Sequence, residues 1–263
     1  SVLTQATYEH QRTAAERAYS LFREGARAVV VAAEMQSGKS GIALALSCLQ
    51  RHSLSDEDIC NRRFLKDTLY LVTMADVALL EQAKNELALC PNLVVSNFTN
   101  FKQAIANEFK YQAPKLIIID ECHYGSHQDG IRYGRIFEYL DLENPACNVA
   151  LISATPFSAL FAAGSDSILR HHYHTKLVFH KTSADYHGIR QMHKNHQIVK
   201  LDTTQRDFCQ DSLLRRRFIR QFNEHPGPGW SLVRVSNGLA ATAKSMLIDQ
   251  GISEDQILII GQK

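Results

Sequence analysis

The sequence predicts an α/β fold, a doubly wound and mostly parallel sheet, and three observations predict it. Short aliphatic runs alternate with stretches of helical periodicity along most of the chain, the pattern of βα units. The two most apolar runs, Val29-Val30-Val31-Ala32-Ala33 and Leu116-Ile117-Ile118-Ile119, have no polar alternation, as in strands covered on both faces. Both runs stop abruptly in polar residues, where open parallel sheets carry their sites, at the strands' carboxyl ends.

The elements follow in order. Residues 4–24 place Tyr8, Ala14, Ala15, Ala18, Tyr19, Leu21 and Phe22 at helical spacing, closed by Gly25. The first strand is Val29–Ala33, followed by a polar loop and a helix from Lys39 to Arg51. Residues 52–67 are mixed in charge and read as a surface loop or small insertion. Leu69–Val72 is a second strand, Val77–Leu89 a helix, Asn92–Ser96 a third strand and Phe101–Phe109 a helix. Leu116–Ile119 is the strand that carries an acidic pair. Ile131–Leu140 is a helix, and Asn148–Ile152 is a strand ending in Ser153-Ala154-Thr155-Pro156. Periodicity weakens over 161–200. After the turn-rich His225-Pro226-Gly227-Pro228-Gly229, a strand at Trp230–Val235, a helix at Ala240–Gln250 and a strand at Ile257–Ile260 read as the start of a second α/β unit. The expected division is a first domain over 1–165, a basic His-rich connector or peripheral segment over 166–228, and a partial second domain over 229–263. A start at Ser1 and a stop just past a strand-like run read as a fragment of a longer protein.

Composition narrows the class. The chain has 263 residues, 45% hydrophobic and 21% charged, with a formal net charge of +2. That balance is ordinary for a globular protein and does not by itself mark nucleic-acid binding, so any basic surface must be local. No apolar run approaches the roughly 18 residues that a membrane span needs, which argues against a membrane partner. The six cysteines include no Cys-x-x-Cys pair, so free thiols in the cytoplasm or another reducing intracellular compartment are expected.

Two segments carry chemistry. Ala33-Glu34-Met35-Gln36-Ser37-Gly38-Lys39-Ser40 follows the phosphate-loop pattern except that Ala33 stands where the first glycine would be. Gly38 permits close backbone approach to phosphates, and successive N–H groups with the following helix's N-terminus make a positive nest. Lys39 is placed for the β- and γ-phosphates of ATP, and the Ser40 hydroxyl for magnesium. Asp120-Glu121-Cys122-His123 closes the second aliphatic strand. There Asp120 is placed to hold magnesium and Glu121 to polarise an attacking water. A helix N-cap would explain one acid after a strand, not this string.

Together these residues resemble superfamily 2 helicases and translocases. Ala-x-x-x-x-Gly-Lys-Ser is similar to their motif I, Asp120-Glu121-Cys122-His123 to motif II of the DExH type, and Ser153-Ala154-Thr155 to motif III. The resemblance covers residues ~8 to ~160, and 230–263 more loosely, Trp230–Asn237 being similar to motif IV. It implies a RecA-like ATP-binding domain followed by the beginning of a second one. It implies that Gln11 reads the adenine edge; the plain alternative is a surface glutamine on a helix. It also implies that His123, Ser153 and Thr155 couple the γ-phosphate site to nucleic acid. The motif Ia position reads Thr73-Met74-Ala75-Asp76 and lacks the usual arginine. Thr73, Asn97 and Thr99 are candidate backbone donors to a strand. No motif VI arginine is found, since Arg132 and Arg135 lie too close to motif II. Such an arginine is worth on the order of 10³–10⁵ in rate where it operates.

Seven of the twelve histidines fall between His171 and His196. From Arg170 to Lys200 six Lys or Arg face a single Asp185. A nucleic-acid surface using Lys176, Lys181 and Arg190 and a solvated connector fit this equally; zinc fits less well, because no tetrahedral spacing is present. Arg215, Arg216, Arg217 and Arg220 read as the basic face of an amphipathic helix. The expected function is an ATP- and magnesium-dependent helicase or translocase, favouring DNA over RNA. The alternatives are a binding module that holds ATP or nucleic acid without hydrolysis and, behind it, a non-helicase phosphate-loop ATPase. Oligomeric state is not readable.

Overall fold

The computed structural model describes residues 5–61, 65–73, 76–120, 131–156, 174–198, 208–224, 227, 229–236 and 238–260. The chain divides into two compact units, Ser1–Met192 and His193–Lys263.

In the first unit the order is α1 (Glu9–Arg23), β1 (Ala28–Ala32), α2 (Lys39–His52), α3 (Asp56–Cys60), β2 (Thr68–Val72), α4 (Val77–Leu87), β3 (Leu93–Asn97), α5 (Phe101–Glu108), β4 (Leu116–Asp120), α6 (Ile131–Leu142), β5 (Asn148–Ser153) and β6 (Thr175–Phe179), and α7 (Ile189–Lys194) runs across the division. The strands form one six-stranded sheet in the order β3-β2-β4-β5-β1-β6, and every neighbouring pair is parallel. The expected α/β parallel sheet is therefore present. Alternate residues of each central strand feed two cores. Val29, Val31, Ile118, Ala150 and Ile152 pack with α1 and α2 residues such as Ala15, Ala18, Ile42 and Leu46. Ala28, Val30, Ile117, Ile119, Val149 and Leu151 pack with Phe101, Ile136, Phe137 and Leu140 of α5 and α6. Burial on both faces explains the unbroken aliphatic runs; each buried Val, Ile or Leu side chain contributes about 1.5–3 kcal/mol.

Register aligns the strands' carboxyl ends. Ala32 of β1 stands opposite Ser153 of β5 and Phe179 of β6. Asp120 of β4 stands opposite Ile152 and Val72, and Val72 opposite Asn97. One edge of the sheet therefore gathers the phosphate-loop sequence, Thr73, Asn97, Asp120 and Ser153.

Two elements of this unit differ from expectation. The 52–67 stretch contains α3, started by the Ser55 hydroxyl accepting the Asp58 N–H at 3.1 Å and by three acids in its first turn. Inside the stretch read as a basic connector, Thr175–Phe179 is the edge strand β6. Only Val178 of it is buried, while Lys176, Leu177 and Phe179 stay exposed, so it lacks the apolar signature of the inner strands.

In the second unit, α8 (Ser212–Glu224) and α9 (Ala240–Asp249) are joined by a small core of Phe208, Ala243, Leu247 and Ile252, flanked by Phe218, Phe222, Val233 and Val235. The Asp211 carboxylate starts α8 by accepting the N–H groups of Leu213 and Leu214 at 2.9 and 3.0 Å. The helix expected at Ala240–Gln250 is present. Trp230–Val235 and Ile257–Ile260 form no strand, which corrects the expected βαβ unit among the described residues. A parallel ladder needs several strands to be stable, and here side chains such as Val233, Val235 and Ile257 pack against the two helices instead.

Candidate nucleotide-binding site

The loop after β1 is shaped by two residues in the left-handed region, Gln36 at φ 58° and Gly38 at φ 82°. The Ala33 N–H donates to the Ser153 carbonyl at 3.0 Å, fixing the loop's start beside the end of β5. Gly38 is the N-cap position of α2, and no side chain caps that terminus; the first turn also carries no acid. An uncapped N-terminus exposes backbone N–H donors and the positive end of the helix dipole, the arrangement that suits an anion.

Gln11 of α1 is 5% exposed, which corrects the surface alternative. Its Oε1 accepts the Tyr8 N–H at 2.8 Å, and its Nε2 donates to the Gly38 carbonyl at 2.9 Å. A Cβ on Gly38 or on Gly41 would overlap the Gln11 carboxamide, so both glycines are required for this close approach. Gln11 thus braces the phosphate-loop turn from behind.

The Ser40 hydroxyl donates to the Glu86 carboxylate of α4, which also accepts from Gln82 at 2.7 Å. The Tyr70 hydroxyl is pushed well above the ordinary phenol range, first by burial, then by Asp120, with which it hydrogen-bonds, and by Glu86. Ser40, Glu86, Tyr70 and Asp120 therefore form one polar neighbourhood beside the loop. Among the described residues no three His, Cys, Asp or Glu side chains converge as a metal-ligand set. A hydroxyl and a carboxylate fit magnesium in the form in which it accompanies phosphates, with few protein ligands and several waters. Ser153 is fully buried, and its hydroxyl accepts the Thr155 N–H at 3.1 Å; Thr155 is exposed.

A second layer lies over the loop. Tyr186 donates its hydroxyl to the Met35 carbonyl at 2.5 Å, and a Cβ on Gly188 would overlap both Glu34 and Tyr186. Burial and the Glu34 carboxylate raise the Tyr186 phenol. The segment after β6 is anchored as well: the His180 N–H donates to the Ala32 carbonyl at 3.0 Å, and its ring meets His10 of α1 with Nε2 2.7 Å from Nδ1. Burial and then His10 lower His180 to about 4.

No protein-family model matches this chain, and no curated protein matches it. Among solved structures it is similar to the crystal structure of the Pyrococcus furiosus Hef helicase domain, with a TM-score of 0.41 and 12% identity over 90% of this chain and 52% of that one. This chain thus spans about half the length of that one. A likeness of that degree carries no weight for activity.

The structure brings Gln11, Ala33–Ser40, Asp120 and Ser153 to one edge of the sheet. Glu121 and His123 lie outside the described residues. Of the candidate strand contacts, Thr73 is buried, while Asn97 spends its Oδ1 on the Asn100 N–H at 2.9 Å. Thr99, Lys176, Lys181 and Arg190 are exposed. Glu86, Tyr70 and Tyr186 were not legible as site residues. Tyr70 reads as one more apolar strand position. Glu86 and Tyr186 reach the loop only through the long-range packing of α4 and of the segment after β6.

Proposed function

We propose that the chain is the ATP-binding motor domain, with further sequence, of a nucleic-acid helicase or translocase of the superfamily 2 type. The observation that carries this reading is the uncapped N-terminus of α2, entered through left-handed Gly38 and followed by Lys39 and Ser40, on the same sheet edge as Asp120. In this reading Ala33, Glu34, Met35, Gln36, Ser37 and Gly38 wrap the phosphates with backbone N–H groups, and Lys39 neutralises the β- and γ-phosphates. Ser40 and Asp120 would hold magnesium, which supplies charge neutralisation at the phosphates. To take that role Ser40 would give up its hydrogen bond to Glu86, whose carboxylate would remain beside the site as an acceptor. Glu121 would orient the attacking water, and His123, Ser153 and Thr155 would relay the state of the γ-phosphate to a bound strand. Gln11 is supported first as a brace of the loop; contact with adenine would require one of its two hydrogen bonds to be released. Nucleic acid, with DNA favoured, would follow the exposed carboxyl edge near Thr73, Asn97 and Thr99 and the cations Lys176, Lys181 and Arg190.

The test is ATP turnover by this chain alone and with single- and double-stranded DNA and RNA, with Lys39→Ala as the blank. Turnover raised by one polymer supports the motor and names its track. ATP binding without turnover above the blank supports the non-hydrolysing module. Absence of Lys39-dependent ATP binding overturns both.

A further inference from the structure

At the opposite end of α2 from the phosphate loop, two thiols face one another. Cys48 lies on α2 and Cys90 in the turn between α4 and β3, with their Sγ atoms 3.3 Å apart. Cys90 is 3% exposed, and its sulfur also lies 3.7 Å from the Leu44 carbonyl of α2, within reach of its S–H. Cys48 is partly exposed and, with Arg51, His52, Leu89, Cys90 and Asn92, lines a pocket of about 210 Å³. The two sulfurs are not equivalent. A hydrogen bond from Cys90 lowers Cys48 to about 7, against the opposing effects of burial and Asp67. Holding that bond, together with burial, raises Cys90 and keeps it protonated. Cys48 is therefore the solvent-side sulfur of the pair, placed to react first, and Cys90 is the buried sulfur in contact with it.

We propose that Cys48 and Cys90 form an oxidation site, in which a hydroperoxide entering the pocket reacts at Cys48 and Cys90 resolves the product as a disulfide. In the first step the Cys48 thiolate attacks a peroxide oxygen and the O–O bond breaks. Cys48 becomes a sulfenic acid, and the leaving oxygen departs as water or an alcohol after taking a proton. In the second step the Cys90 sulfur attacks the Cys48 sulfur. The S–O bond breaks, the S–S bond forms, and hydroxide leaves with the Cys90 proton as water. Two thiols thus lose two electrons and two protons to one peroxide. Bonding requires the two sulfurs to close from 3.3 Å to about 2.05 Å.

The bridge would tie α2 to the entry of β3 and enclose β2 and α4. It would lie roughly 13 Å along α2 from Lys39, so nucleotide binding should survive oxidation. The enclosed loop should raise the midpoint of thermal unfolding by about 5 °C or more.

The test is to treat the full chain with hydrogen peroxide under native conditions, alkylate the remaining thiols and map the unreduced digest by mass. The expected result is a Cys48–Cys90 linked peptide about 2 Da lighter than the two thiol peptides together, abolished by dithiothreitol. In Cys90→Ser, which keeps a donor beside Cys48 and cannot close a disulfide, dimedone should trap Cys48 as a stable sulfenic acid adduct. Recovery of both cysteines alkylated while exposed Cys60 is oxidised would overturn the proposal, as would linkage of either to another cysteine. The map of the unsubstituted chain decides the matter even if Cys90→Ser does not fold.

Discussion

The junctions after β1 and after β2 occupy the same edge of one sheet, and each leads from a buried strand into a helix, yet they end in opposite ways. After β2, the Asp76 carboxylate caps α4, accepting the N–H of Ala78 at 2.8 Å and of Leu79 at 3.4 Å. After β1, Gly38 leaves α2 without a side-chain cap. A βα junction alone therefore does not make an anion site. A carboxylate at the first position satisfies the free N–H groups and would repel a phosphate; a glycine there leaves the donors and the dipole available. The chain withholds a cap where the phosphate-loop sequence stands and supplies one at the next junction.

Breaking the uncapped junction should have the largest effect. Gly38→Val places a branched side chain at φ 82° and drives it into Gln11, a backbone cost of about 1–2 kcal/mol before the overlap is counted. Nucleotide binding should be lost, and the unfolding midpoint should fall by several degrees. Lys39→Ala should weaken ATP binding ~tenfold or more, about 1.4 kcal/mol, and lower that midpoint less than Gly38→Val does. Titration of a fluorescent ATP analogue beside a thermal melt separates the two. Equal ATP affinity in Lys39→Ala and the unsubstituted chain would remove the distinction drawn between the junctions.

Next in size is the acid sensitivity of the pair that ties α1 to the end of β6. The folded chain holds His180 neutral down to about pH 4, whereas its ordinary value is 6.5. Protons therefore favour the unfolded chain in that window. This stabilisation is complete above pH 6.5 and is lost as pH falls toward 4. His180→Asn should flatten that limb of a denaturant-midpoint profile; a limb of unchanged slope would show that other groups set it. Because His10 is the neighbour of Gln11, ATP affinity in the unsubstituted chain should weaken over the same range.

The capped junction gives a smaller effect of a different kind. Asp76→Ala should cost about 1 kcal/mol of stability and lower the unfolding midpoint by about 2–4 °C. ATP affinity should not change, because α4 presents its N-terminus to its own side-chain cap. A loss of ATP affinity comparable with Lys39→Ala would mean that the two junctions act as one site.

What was legible in the sequence depended on how local its cause was. Val29–Val31 and Leu116–Ile119 announced their strands because burial on both faces forces aliphatic residues in succession. Gly38 announced the loop because a left-handed turn selects glycine. β6 was not legible, since an edge strand with only Val178 buried needs no such run. Trp230–Val235 and Ile257–Ile260 misled for the converse reason: apolar, β-branched composition shows that a segment is to be packed, and here the packing partners of Val233, Val235 and Ile257 are helical. Glu86 was hidden because its meeting with Ser40 depends on how α4 lies on α2, across 46 residues of chain.

The finest distinction concerns the layer over the loop after β1. Tyr186→Phe removes only the hydroxyl that donates to the Met35 carbonyl and leaves the ring in place. A hydrogen bond of this kind contributes about 0.5–1.5 kcal/mol net, so the effect on ATP affinity should stay within roughly tenfold. Its sign is informative. If Tyr186 preorganises Met35 and Glu34 for phosphate, Tyr186→Phe binds ATP more weakly; if it holds the loop closed against the ligand, the variant binds more tightly. The Gln11 brace on Gly38 already fixes the back of the same loop, and rigid support from both sides favours preorganisation, hence weaker binding. Tighter binding by Tyr186→Phe would instead assign the segment after β6 the role of a cover that ATP must displace.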